Sequence, residues 1–140
     1  MDTSSLPRMI AYARIGFAAA ALFKPKVATV LIGGKPSQLT PMALAWAGGF
    51  ASREAALGAL TLGSEGLDTA TRRKVLLANA AVDTLDSLSF LVLAKRQRSL
   101  LPLLIGAPGS VLAAYSNFQA AQQLGATSDA APAELAYARA

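Results

Sequence analysis

Residues 75–94, VLLANAAVDTLDSLSFLVLA, decide the fold. About 20 predominantly apolar residues are enough for a helix to cross the hydrocarbon core of a bilayer. Arg72-Arg73-Lys74 stand before this stretch and Lys95-Arg96-Gln97-Arg98 after it, a basic anchor at each end where side chains meet lipid headgroups. Asp83 and Asp86 lie near its centre, three residues apart and on one helix face.

Three more segments have the same character. Residues 6–23 form a first span, closed by Lys24-Pro25-Lys26, because proline cannot continue the helix and the two lysines favour the headgroups. Residues 41–62 form a second, with Thr40 as N-cap, Pro41 at the first helical position and the run Gly63 to Gly66 as the exit. Residues 75–94 are the third. Residues 100–121 are the fourth, containing Pro102 and expected to kink or break at the run Gly106-Ala107-Pro108-Gly109, with Pro108 and Gly109 as the break residues. The apolar residues 27–32 are too few to span and are expected to lie at the interface or re-enter. Residues 1–123 thus form one transmembrane domain, and residues 124–140, rich in alanine with Asp129, Pro132 and Glu134, form a flexible tail. The expected fold is all-α, an integral membrane bundle of four transmembrane helices.

Composition supports that reading. The chain of 140 residues is 54% hydrophobic and 15% charged, against about one-quarter charged in ordinary soluble domains. A soluble four-helix bundle would need polar helix faces that the apolar stretches lack. There is no cysteine and no histidine, which removes disulfides, thiol chemistry, zinc sites and Ser-His catalysis. The net charge of +5 resides in short clusters beside the apolar segments, not in a basic stripe interleaved with aromatics, so nucleic acid is not the expected partner. The N-terminus lacks a basic leader region and a cleavage site, and reads as a retained helix. Lysines and arginines near the span ends number six on one side (Lys24, Lys26, Lys35, Lys95, Arg96, Arg98) and four on the other (Arg8, Arg72, Arg73, Lys74), which places both termini outside the cytoplasm.

The span centres bring the charges to one depth. Arg14, Arg53, Glu54, Asp83 and Asp86 all fall within about one helical turn of the midplane. Each costs roughly 2.5–3.5 kcal/mol at a helix centre, so five unpaired charges would spoil insertion, and they must pair or face water. Arg53 and Glu54 point about 100° apart on their helix. The expected pairing sets Arg14 and Arg53 against the two aspartates, with Glu54 on a different side. Two arginines against three carboxylates leave one negative charge in excess. Small residues spaced at four, in the rows Ala45-Gly49-Arg53, Gly48-Ser52-Ala56 and Gly106-Ser110-Ala114, offer close-approach surfaces.

Other motifs fail on their chemistry. Gly33-Gly34-Lys35-Pro36-Ser37 lacks the upstream glycine of a phosphate loop, and proline parts its lysine from its serine. Carboxylate-bundle metal sites use Glu-x-x-His pairs, and no histidine is present, so no metal and no cofactor are expected.

The chain resembles a family of uncharacterised four-helix bacterial membrane proteins, distantly similar to the DoxX-like group. The resemblance rests on Arg14-Ile15-Gly16 with Pro25, on Gly49 through Arg53-Glu54 to Leu57-Gly58, and on Asp83 with Asp86. It implies a four-helix membrane fold and brings no established activity. The alanine-rich, lysine-poor composition is similar to that of proteins from high-GC, actinobacterial sources, and in that setting a small four-helix protein fits as an accessory subunit of an envelope transporter resembling the mammalian-cell-entry lipid importers. The expectation is a non-enzymatic accessory or stabilising subunit of a larger integral membrane complex such as a bacterial envelope lipid transporter, multi-pass in the plasma (inner) membrane. Its expected partners are transporter subunits and lipids. The alternative is a small carrier or proton-coupled protein using the five midplane charges, with the break at Pro108 and Gly109 beside the bound species.

Overall fold

A computed structural model describes residues 5–31, 37, 39–98 and 100–137. Among these every regular element is helical: α1 (Leu6–Phe23), α2 (Pro25–Leu31), α3 (Pro41–Gly63), a 3₁₀ turn (Ser64–Gly66), α4 (Thr69–Gln97), α5 (Leu101–Ile105) and α6 (Ala107–Tyr137). The protein is all-α. Ile32 and the stretch Gly33 to Pro36 of the phosphate-loop-like motif lie outside the described residues.

Local chemistry sets the boundaries. The Thr40 hydroxyl accepts from the Ala43 N–H at 3.1 Å and starts α3, with Pro41 in the first turn, where a missing N–H costs nothing. The Asp68 carboxylate accepts from the Thr71 N–H at 2.9 Å and starts α4. Hydrogen bonds from Thr71 hold this carboxyl below the usual range. Helix α4 begins six residues before the expected span start at Val75, so Arg72-Arg73-Lys74 form its first turns. It ends at Arg98, whose positive φ of 50° returns its N–H to Ala94 and Lys95.

Two antiparallel helix pairs make up the body, α1 with α3 and α4 with α6. In the first pair Phe17 meets Phe50 edge-on at 6.0 Å between ring centroids. Alanines 18, 21, 28 and 51 form the buried centre of this unit, with Phe17 and Ala55 packed against it. Close approach is set at Gly58, where a Cβ would lie 2.7 Å from the Ala11 carbonyl oxygen and 2.8 Å from Ile15. Gly48 and Gly49, expected to supply the close contact, would have nothing within 4 Å of an added Cβ, because their side of α3 faces outward. In the second pair the Phe90 ring lies on Gly106, the Ser87 hydroxyl donates to the Ser110 oxygen at 3.1 Å, and the Arg73 guanidinium lies over Gly125. The row Gly106-Ser110 therefore does face a neighbouring helix.

The structure departs from the sequence reading at two places. The interruption in the last helical segment falls within the expected run, at its first residue Gly106 between α5 and α6, ahead of Pro108 and Gly109. Phe90 occupies the space above Gly106, while Pro108 sits in the first turn of α6, where proline is compatible with the helix. The expected flexible tail from residue 124 instead continues α6 to Tyr137.

Gly58 and Gly48 give a direct test of the packing. Gly58→Ala is expected to destabilise the detergent-solubilised protein by about 1–3 kcal/mol through overpacking. Gly48→Ala should leave thermal unfolding unchanged or raise its midpoint, since alanine is the better helix former.

Candidate functional site

Eight polar or charged residues are buried among those described, while many large apolar ones are exposed. Arg14, Glu54, Thr61, Ser64, Asn79, Asp83, Ser116 and Asn117 are buried, while Met9, Tyr12, Phe23, Met42, Trp46, Leu60, Leu85, Leu88, Leu104, Val111 and Tyr115 are exposed. A water-soluble bundle arranges these classes the other way round. The buried apolar positions are almost all alanine, with Leu76 the one larger residue among those described.

Five of the buried or partly buried groups form one continuous ladder with the amide of Asn117 at its head. It starts on α6, where the Asn117 amide nitrogen donates to Asp83 Oδ2 at 3.3 Å. Arg14 of α1 donates through Nη2 to Asp83 Oδ1 and through Nη1 to Glu54 Oε2, the latter at 3.2 Å. Glu54 Oε1 then accepts from Arg53 Nη2 at 2.8 Å. The Arg53 guanidinium finishes the ladder as a two-pronged pair on Asp86, with Nη1 to Oδ1 at 2.8 Å and Nη2 to Oδ2. Charges alternate at every step, so each carboxylate touches a cation and each arginine touches two carboxylates.

Helix register makes the ladder possible. Arg14, Glu54, Asp83 and Asn117 each lie across from the next in antiparallel pairs whose other rungs are Phe17 with Phe50 and Ser87 with Ser110. On α4 the row Leu76, Asn79, Asp83, Asp86 and Phe90 repeats at intervals of three and four and so forms one face. That face meets α1, α3 and α6 with polar atoms, and the two helix pairs also touch where α1 meets α6.

The ladder is graded in exposure. Asp83 is 2% exposed and Arg14 7%, whereas the Arg53 side chain at the other end is 35% exposed. The Arg53 guanidinium lies 4.8 Å from the Phe50 ring centroid, so an aromatic face covers part of its surface.

The structure brings together all five sequence-derived charges and sets Arg14 on Asp83 and Arg53 on Asp86, as expected; it differs on Glu54. Helical angle alone puts Glu54 on a different side from Arg53, yet Glu54 bonds both arginines. Adjacent side chains diverge by about 100° at the backbone, but the long guanidinium fork of Arg53 reaches back to its neighbour. Pro108 and Gly109 supply none of the rungs. Among the described residues no group of three carboxylates converges as a metal site.

Sequence reasoning misses the amides. Asn79 donates to the Thr61 hydroxyl at 2.6 Å and reaches the Leu57 carbonyl at 3.4 Å, a second buried polar tie between α3 and α4. Ser64 donates to the Thr61 carbonyl at 2.7 Å and closes this tie. The signal for Asn79 is its place on the Asp83 face. For Asn117 it is the row continuing from Gly106 and Ser110, which turns toward α4. At the end of the bundle Arg8 holds Glu65 through paired bonds of 2.9 and 2.6 Å, keeping the Glu65 carboxyl below the usual carboxylate range.

Arg14 is the rung whose loss should cost most, since it serves Glu54 and Asp83 together. Arg14→Met is expected to destabilise by about 3–5 kcal/mol, the range for a buried pair broken on one side. Chemical unfolding in mixed micelles measures it. An effect within experimental error would remove Arg14 from the fold's essential contacts.

Compared with known proteins, the chain matches no family model, no curated protein and no solved structure.

Proposed function

We propose that this is a multi-pass protein of the plasma (inner) membrane, a bundle of four crossings formed by α1, α3, α4 and the α5–α6 segment. Its task is structural: a non-enzymatic accessory or stabilising subunit that packs laterally on a larger membrane complex, such as a bacterial envelope lipid transporter. The observation that carries this reading is the inverted distribution of side chains, large apolar groups outward and charges inward.

Two helices, Leu6–Phe23 and Thr69–Arg96, are long and apolar enough to cross a membrane. Only 28% and 22% of their apolar windows are buried, unlike the core helix of a soluble protein. Helix α3 and the last segment fall below the same measure because they carry Arg53 with Glu54 and Asn117 with Gln119, Gln122 and Gln123. Those α3 charges and Asn117 are turned into the ladder, so these helices still present apolar surface outward, including Trp46, Phe50, Leu112 and Phe118. The Arg8–Glu65 pair sets the start of α1 beside the turn after α3, as two crossings require.

The accessory role follows from what the surface offers. Two shallow grooves run along the outer flank of α4, one between Leu88 and Val92 with Arg96 at its end, the other between Leu91 and Leu103. Neither is lined by any of the five ladder charges. Such a surface suits helix-on-helix packing or lipid, while the charged groups are occupied with one another.

Purification in a mild detergent from native membranes is expected to yield a stoichiometric membrane-protein companion. Elution of the chain alone would contradict the accessory role. The absence of cysteine makes the crossings testable by single substitutions labelled with a membrane-impermeant maleimide. Ser5→Cys and Gly66→Cys should label from one side and Lys24→Cys and Arg98→Cys from the other; labelling of all four from one side would contradict four crossings.

A further inference from the structure

The ladder carries one more negative charge than positive, and the shortfall falls where Arg14 is shared between Asp83 and Glu54. Asp86 receives both prongs of Arg53, and Glu54 touches both arginines. Asp83 has one arginine contact, which it shares with Glu54, and is the most buried of the three. Arg53 neutralises Asp86, and Arg14 alone is left for Asp83 together with its share of Glu54, so the most buried carboxylate is only part-compensated. A part-compensated carboxylate at that depth is the costliest state open to the cluster.

A second observation lies beside it. Asn117 is 2% exposed and directs its amide at Asp83, yet its own Oδ1 has no hydrogen-bond partner among the described residues. Covalent geometry holds that oxygen on the same amide group whose nitrogen reaches Asp83. A buried acceptor without a donor is rare and points to an occupant. A part-compensated carboxylate and an unpartnered oxygen on the amide that touches it are both ligands for positive charge.

We infer that Asp83 and Asn117 form a site for one monovalent cation, a proton or a sodium ion, whose uptake brings the five-charge ladder to neutrality. A divalent ion would leave the cluster with a net positive charge and finds no set of three carboxylates among the described residues. The charged groups around the site are Arg14 from α1, Arg53 and Glu54 from α3, and Asp86 from α4 itself; the described part of α6 contributes only the amide of Asn117. As a proton site, the carboxyl of Asp83 gains an O–H, and a half-turn of the Asn117 amide exchanges its donor for an acceptor to receive it. As a sodium site, Asp83 and the Asn117 carbonyl supply oxygen ligands directly. This inference does not depend on the accessory role, because it concerns the charge state of the isolated chain.

The test uses the full chain in lipid nanodiscs. Infrared spectra in sodium-free potassium buffer report a protonated carboxyl, and calorimetric titration with sodium chloride reports sodium. The expected result is one of two: a carboxylic-acid band near neutral pH that Asp83→Asn removes and Asp86→Asn keeps, or sodium binding at one ion per chain that Asp83→Asn weakens at least tenfold. The first identifies the proton, the second sodium. Asn117→Ala, which leaves every charge in place, should shift that band or weaken sodium at least tenfold, and serves the comparison if Asp83→Asn does not fold. Absence of both signals in the unsubstituted protein, or a signal that Asn117→Ala and Asp83→Asn leave untouched, overturns the inference.

Discussion

The pairing of Arg14 and Arg53 with carboxylates from other helices is the constraint on which the rest of this structure depends. A guanidinium keeps its charge under any accessible condition, so burying two of them commits the fold to placing acids beside them. The acids come from α3 and α4, and Arg14 and Arg53 come from α1 and α3. No single helix can satisfy the set. The ladder therefore specifies which helices are neighbours and in what register, a role that buried ionic groups serve better than they serve raw stability.

Around that polar seam the packing uses small residues. Alanines and Gly58 let α1 and α3 approach closely, and Gly106 admits Phe90 between α4 and α6. Large side chains would hold the helices apart and lengthen every rung. The large residues are displaced to the exterior, where a bilayer can solvate them and water cannot. Polar seam and apolar exterior are thus two consequences of one arrangement: short interhelical distances are needed to pair the charges, and only small residues permit them.

Much of this is legible in the chain itself. Lysine, proline and glycine punctuation delimits α1 and α3, and the centres of those spans bring Arg14, Arg53 and Glu54 to the depth of Asp83 and Asp86. The pairing of the two arginines with the two aspartates is legible too; the place of Glu54 is not. Helical angle puts Glu54 on the wrong side because it describes the backbone, while the reach of an arginine spans more than one face. The run Gly106-Ala107-Pro108-Gly109 announces the break in the last segment, but proline, the stronger breaker in general, draws the expectation toward Pro108 within it. Gly106 is where the Phe90 ring demands room, and that demand comes from another helix. Asn79 and Asn117 carry no charge, and their places on the Asp83 face and the Gly106-Ser110 row gain meaning only once those faces are known to meet. The same holds for the tail, whose alanine content supports a helix that its lack of apolar periodicity does not announce.

The central claim is that charge pairing across helices, within an apolar surround, holds α3 against α4. A double-substitution cycle on Arg53 and Asp86, read by unfolding in lipid nanodiscs, tests it most directly. Arg53→Met and Asp86→Leu each strand a charged partner, whereas the double variant replaces both with apolar groups. The expected result is that each single variant is markedly less stable and the double variant recovers most of the loss, a coupling of roughly 1–3 kcal/mol. Losses that simply add would contradict the claim and show that the two side chains are independent.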